Sequence, residues 1–287
     1  MPIEPRESYK AEFELRRRDV ETASGKVSIS YVVCAPLEDA GFLNAFSTRA
    51  GGVSPLPSGS FNLAEFNGDT AENVLENRRC FLSAINAERA NLITARQTHS
   101  TDRYRIESRT QPGNVGPDCD AMTTRLTGVM LGIQTADCLP ILIGDTKTKT
   151  MAAVHAGWRG TAGRITERTV ADLIQGYGVD PRNCIAALGP AACVECYEVG
   201  QDVIGLYKKE FGYWRNLIVN VQENGKAHLD ITSANVQQLA FCGFSPDRIH
   251  VAPYCTMHQN DLFFSYRREN SSRPLGVGRL LSVISLR

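Results

Sequence analysis

Two strongly apolar runs separated by a short polar turn, Leu139 to Ile143 (LPILI) and Met151 to Val154 (MAAV), constrain this chain most. Apolar at nearly every position, they predict short buried β-strands, with Asp145 to Lys149 as the turn between them. Cys138 stands just before the first run and His155 just after the second, 17 residues on. A thiolate and an imidazole at adjoining strand ends are donors that zinc accepts. The spacing matches no zinc-finger pattern, so the pair alone also reads as two polar residues closing core strands.

After His155 comes GWRGTAG, and then an amphipathic pattern that predicts a helix from about Ile165. Gly157, Gly160 and Gly163 allow a ligand close to the backbone, Thr161 is expected to cap the helix, and Arg159 adds a cation. The segment suits an anion such as phosphate, although it lacks the Lys-Ser/Thr of a P-loop; a tight strand-to-helix turn with no ligand fits it equally. Other arginines in loop settings are candidate contacts for phosphate or carboxylate: Arg49 in RAGGVSP, Arg267 and Arg268 after FFSY, and Arg279 in GVGR.

Strands and helices alternate along the rest of the chain. Strands are expected at 28–34, 42–47, 91–97, 129–134, 184–188 and 248–252, and a loop at 50–60. Helices are expected at 71–86, 198–211 and 233–242. In the first of these Val74, Leu75, Phe81, Leu82 and Ile85 are expected inside, with Arg78 and Arg79 outside. No linker interrupts the alternation, so the 287 residues predict one mixed α/β domain spanning 1–287, with 1–27 as an ill-defined N-terminal extension.

Lys and Arg together number 31, as do Asp and Glu, so no net field steers the chain onto nucleic acid or an anionic membrane. No apolar run is long enough to span a bilayer, and the polar N-terminus has no signal-peptide core, so the cytoplasm is the expected compartment and a monomer the expected state. The nine cysteines are then expected as reduced thiols. Cys34, Cys80, Cys184 and Cys242 lie in apolar stretches and are expected in the core. Cys193 and Cys196 form a C-x-x-C with no second half following, and are expected as reduced neighbours without a metal. His228, His250 and His258 are expected as isolated hydrogen-bonded residues.

His99, in ARQTHS at the end of the 91–97 strand, completes a trio with Cys138 and His155. Two imidazoles and one thiolate leave a fourth position open, which marks a catalytic rather than a structural zinc.

Taken together, the motifs resemble those of the YfiH family, also called the laccase-domain or multicopper polyphenol oxidoreductase family. The matching stretches are FSTRAGGVSP (46–55), FNLAEFNGD (61–69), VLENR (74–78), QTHS (97–100), TADCLPIL (135–142), AVHAGWRGT (153–161), LGPA (188–191), YEVG (197–200) and CT, FFSYRRE and GR between 255 and 279. The resemblance implies a layered α/β/β/α domain with His99, Cys138 and His155 as metal ligands. It further implies phosphorolysis of purine nucleosides (adenosine, inosine, guanosine, methylthioadenosine) and deamination of adenosine. On that basis Asn62, Gly157, Gly160, Arg267 and Arg279 are expected at the substrate. Arg49 and Arg159 are expected to hold phosphate, with Cys138 and Asp137 in the chemistry; Glu198 is a second acid/base candidate. Ser100, Cys119 and Val277 depart from the family's usual Gly, Ala and Thr.

Two other readings remain. A laccase-type copper cluster needs many histidines, largely as His-x-His pairs, and five histidines with no such pair cannot build one, although a single copper is an alternative to zinc. A metal-assisted amidase acting on peptidoglycan precursors would use the same trio.

Overall fold

The computed structural model describes residues 12–22, 25–56, 61–65, 68–109, 116–269 and 276–287. The chain begins with β1 (Phe13–Thr22), β2 (Gly25–Cys34), α1 (Ala35–Asp39), β3 (Phe42–Ser47), α2 (Ala71–Ala84), β4 (Asn91–Thr94), β5 (Arg103–Arg105) and β6 (Ala121–Thr124). It continues through β7 (Val129–Thr135), β8 (Leu139–Asp145), β9 (Met151–Ala156), α3 (Trp158–Ala162), α4 (Ile165–Tyr177), β10 (Cys184–Leu188) and β11 (Glu198–Val199). It ends with α5 (Gln201–Glu210), β12 (Ile218–Val219), β13 (Ala227–Leu229), α6 (Ile231–Phe241), β14 (Ile249–Val251), α7 (Tyr266–Glu269) and β15 (Leu280–Leu286).

Two six-stranded sheets dominate, in the orders β1-β2-β3-β15-β7-β4 and β14-β10-β8-β9-β6-β5. Strand alternation sorts their side chains into three cores. Leu131, Ile133, Leu142 and Ala153 fill the space between the sheets with Phe42 and Phe46. Met130, Leu281 and Val283 point the other way, onto Phe81 and Ala84 of α2. Ile141, Ile143 and Val154 pack on the far side against Ile165, Val170 and Leu173 of α4 and Leu239 of α6. Three cores between four layers give the α/β/β/α arrangement that the family resemblance implies.

Several elements depart from the sequence expectations. Residues 13–22, expected within an ill-defined extension, form β1 and pair along their whole length with β2; residues 1–11 and 23–24 lie outside the described residues. The expected loop at 50–60 has no regular structure through 56, and 57–60 lie outside the described residues. In α2, Leu75 is 63% exposed and Asn77 is buried in its place. Asn77 accepts from Val53 N and donates to Ser54 Oγ and Asn62 O, so the helix turns this edge inward to hold a loop. Arg78 is half-buried and donates to Leu63 O. β4 stops at Thr94; beyond it the Gln97 amide exchanges hydrogen bonds of 2.7 and 2.8 Å with the main chain of Gln134. That substitution keeps the 95–99 segment alongside β7 up to His99.

The polar turn after β8 is built by Asp145, whose carboxylate accepts from the main-chain N–H groups of Lys147 and Thr148. It sets β8 and β9 in an antiparallel hairpin with Pro140 opposite His155 and Leu139 opposite Ala156. Cys138, one residue before β8, therefore arrives beside His155.

Candidate metal centre and its cleft

The donor atoms of His99, Cys138 and His155 all lie within 4.8 Å of one another, and the two imidazole rings meet edge-on with centroids 4.9 Å apart. The cluster lies where β7 of one sheet leads into β8 of the other. His155 is buried, Cys138 is partly exposed and His99 is exposed. Two of the three positions depend on backbone in the left-handed region: His99 itself (φ 58°) and Asp137 beside Cys138 (φ 86°).

Asp120 holds the first of these. Its buried carboxylate accepts from the main-chain N–H groups of Thr98 (3.2 Å), His99 (3.0 Å) and Ser100 (2.7 Å), and from the Ser100 hydroxyl (2.8 Å). It also lies 2.7 Å from Nδ1 of His155. Burial opposes ionisation of Asp120, but the His155 and Ser100 hydrogen bonds outweigh it and hold the carboxyl well below the usual carboxylate range. An ionised Asp120 fixes the proton on Nδ1 of His155 and leaves the other ring nitrogen to the cluster. Burial likewise pushes the Cys138 thiol up, yet His155 and His99 opposite bring it down to about 6. Burial lowers His155, while Cys138 and Asp120 raise it to about 9. A thiolate facing imidazoles, one of them oriented by a carboxylate, is a donor set that fits a zinc or similar borderline ion with one position open.

Asp137 is clamped by its surroundings. One carboxylate oxygen accepts from Thr256 Oγ1 (2.6 Å), the other from Arg267 N (2.6 Å), and its carbonyl accepts from Ala192 N. Each oxygen accepts one hydrogen bond, so Asp137 anchors the chain around Cys138 while it lines the cleft. Glu198, on β11, is paired with Lys226 and does not line the cleft.

The cluster opens into a cleft of about 600 Å³. Trp158, Tyr197 and Tyr266 give it aromatic walls, and Arg159, Arg267 and Arg279 face it with positive charge. Arg159 stacks over Trp158, Arg267 over Tyr197 and Arg279 over Tyr266, with guanidinium-to-ring distances of 4.0, 5.2 and 5.5 Å. Arg267 also donates to Glu198 O and Arg279 to Val277 O, whereas Arg159 makes no ion pair among the described residues.

Other expected contacts are not at the cleft. Arg49 is buried in a salt bridge to Glu269 (3.0 Å), donates to the Asn260 and Phe263 carbonyls and lies over Phe264. Its loop folds the guanidinium inward, where a buried carboxylate compensates the charge. Asn62 is fully buried, donating to Asp69 and Ala64 O and accepting from Arg279 N. It braces Arg279 rather than substrate. Gly157 has a steric role: a Cβ there would stand 3.1 Å from His99 Cδ2 and 3.3 Å from Cys138 Sγ. A Cβ on Gly160 would meet Ser100 O at 3.0 Å. The turn itself is the five-residue α3, and Thr161 does not cap α4; its hydroxyl accepts from Asn235. Arg268 points away and donates to Met257 O.

Cys34, Cys80 and Cys184 are buried as expected, whereas Cys242 is half-exposed. His228 lies on β13 and His250 pairs with Glu12, both apart from the cluster. His258 is the exception, lying against Cys193 and Cys196. Sequence reasoning overlooked Asp120, whose only signal is an acid in DCDAM directly before a buried strand, and the aromatic trio, present in the GWRGT, YEVG and FFSYRRE motifs.

The family model described as multi-copper polyphenol oxidoreductase laccase matches residues 43–287. The chain is 35% identical over 234 residues to adenosine deaminase RL5 from an unknown prokaryotic organism, covering 79% of this chain and 88% of that one. It is 34% identical over 248 residues to a purine nucleoside phosphorylase of Bacteroides thetaiotaomicron, with coverage of 84% and 90%. Its fold matches YlmD from Geobacillus stearothermophilus with a TM-score of 0.82 at 28% identity, covering 95% of this chain and 100% of that one. YfiH of Bacillus licheniformis matches with the same TM-score at 25% identity, with coverage of 90% and 96%. With its cluster, cleft and four-layer fold, this chain belongs to the laccase-like YfiH family.

Proposed function

We propose that the cleft binds purine nucleosides, cleaves their N-glycosidic bond with phosphate, and deaminates adenosine, with zinc held by His99, Cys138 and His155. The observation that carries this reading is the placement of the trio on the wall of a cleft that also presents three aromatic faces, each stacked against an arginine. Relatives named for these two activities support it.

Zinc bound there would supply a Lewis acid and lower the pKa of water at its open position. The chain's own groups do the rest. Asp120 keeps Nδ1 of His155 protonated and the ring fixed. Trp158, Tyr197 and Tyr266 offer faces on which a purine stacks, each backed by an arginine that raises the electrostatic complementarity of the face. Arg159, without an ion-pair partner among the described residues, is the cation best placed to take a phosphate oxygen. Asp137 holds the main chain of Arg267 against the cleft.

The oxidase named in the family's description would need more histidine ligands than the two this cluster supplies, and His228 and His250 lie elsewhere. The deciding experiment incubates purified protein with adenosine, with and without phosphate, and identifies the products. Adenine and ribose 1-phosphate with phosphate, and inosine with ammonia in either case, are the expected outcome. No product from adenosine under either condition would refute the proposal.

A further inference from the structure

Away from the cleft, two loops bring four more ligand-type side chains together. Cys193, Cys196, Cys255 and His258 have donor atoms that all lie within 4.8 Å of one another. In sequence they read as two knuckle-like halves, Cys193-x-x-Cys196 and Cys255-x-x-His258, the second half lying far downstream of the first. The fold supplies the missing half: Ala191 and Cys255 form a parallel bridge, with Thr256 N donating to Ala191 O.

We infer that these four residues form a second, closed zinc site that staples the 193–196 turn to the 255–258 loop.

The geometry is that of a nearly assembled tetrahedron. Zinc–sulfur bonds near 2.3 Å and zinc–nitrogen bonds near 2.0–2.1 Å put tetrahedral ligand atoms about 3.5–3.8 Å apart. Cys193 Sγ lies 3.6 Å from Nδ1 of His258, and Cys196 Sγ lies 3.2 Å from Nε2 of the same ring. A modest turn of this exposed imidazole directs one nitrogen to the fourth vertex. Cys255 Sγ, the buried member, accepts from Cys193 N (3.3 Å) and His258 N (3.5 Å). Main-chain N–H groups aimed at sulfur stabilise a thiolate more than a thiol, and a thiolate is the form zinc requires. All three cysteines are free of disulfides. Three sulfurs and one nitrogen complete the coordination, so the site has no open position and its role is structural.

The staple bears on the cleft without entering it. Tyr197, a cleft wall, follows Cys196 directly, and Thr256, which holds the Asp137 carboxylate, follows Cys255. Met257, between two ligands, receives Arg268 of α7. A metal here would fix the Tyr197 wall and the Thr256–Asp137 contact beside Cys138.

The test is metal content of the full chain purified with a non-thiol reductant and no chelator. Wild-type protein should carry about two zinc ions, and the Cys138→Ser and Cys196→Ser variants about one each. Cobalt exchanged into Cys138→Ser should show the strong near-ultraviolet thiolate-to-metal absorption and the visible bands of a tetrahedral, sulfur-rich site. Wild type with one zinc and Cys138→Ser with none would overturn the inference, and so would an intact mass two hydrogens short from a Cys193–Cys196 disulfide. Cys138→Ser keeps the second site whole, so the result stands even where Cys196→Ser fails to fold. It stands also where the nucleoside activity fails, because the zinc count needs no substrate.

Discussion

The Asp120 carboxylate lies 2.7 Å from Nδ1 of His155 while it also accepts the main-chain N–H of His99, so one buried side chain orients two of the three cluster residues. It aims one imidazole by its ring and the other by its backbone. Partners of this kind typically contribute 10- to 100-fold in metal affinity. Asp120→Asn, which keeps the shape and removes the charge, should weaken zinc binding by about that factor. Competition with a chromophoric chelator measures it, alongside circular dichroism to show that the fold persists. Unchanged zinc affinity in a folded variant would exclude this role.

The Ser100 hydroxyl adds a 2.8 Å donor to Asp120. A hydrogen bond to a charged group contributes about 1.5–3 kcal/mol. Ser100→Ala should therefore lower the melting temperature by a few degrees. Calorimetry of matched zinc-loaded samples checks this; a melting point at or above wild type would show the hydroxyl to be dispensable.

Legibility in the sequence tracked how local each signal was. Cys138 and His155 could be paired because a hairpin joins them, and its strands and turn were plain in LPILI, MAAV and the polar residues between. His99 could be added only from its place after a strand, a weaker signal, because it comes from the other sheet. Asp120 was hidden because an acid before a strand looks the same whether it faces water or a loop that wraps it. Arg49 misled for a related reason: RAGGVSP does not disclose that its guanidinium turns inward to Glu269, which lies 220 residues away. The Cys255–His258 half was invisible as a partner of Cys193–Cys196 until the Ala191–Cys255 bridge set them side by side. β1 was obscured by its charged outer residues, since FELRRRDVET buries only Phe13 and Val20.

Arg49 and Glu269 form a buried pair whose loss should act on stability. Arg49→Ala strands a buried carboxylate, and breaking such a pair costs about 3–5 kcal/mol. Denaturant unfolding should show that loss, while folded protein keeps its KM for phosphate. A variant of normal stability with a raised phosphate KM would return Arg49 to the phosphate site.

In metal-free protein the opposed imidazoles favour the Cys138 thiolate, which sets the sign of its pH dependence. The thiolate should persist as pH falls until about 6 and be lost below it, whereas an ordinary cysteine loses it below about 8.5. Iodoacetamide modification of the Cys138 peptide, followed by mass spectrometry across pH, should have its midpoint near the lower value. A midpoint near the ordinary value would mean that the histidines do not favour the thiolate. Zinc should suppress the modification across the range, because metal and reagent compete for the same sulfur.

Arg159 is the arginine on which the phosphate proposal rests. It stacks on Trp158 at the mouth of the cluster and has no ion-pair partner among the described residues, so its charge is available to an incoming anion. Arg267 and Arg279 are partly committed to main-chain carbonyls, which leaves them fewer donors. Removing one charge-assisted contact costs about 1.5–3 kcal/mol, which is roughly 10- to 150-fold. Arg159→Ala should therefore raise the KM for phosphate by about that factor. Adenosine deamination, which consumes water instead, should change far less. Arg159→Lys keeps the charge but not the planar fork, so it should recover only part of the phosphorolysis. Equal loss of both reactions in Arg159→Ala would assign the residue to nucleoside binding or to the integrity of the Trp158 wall instead.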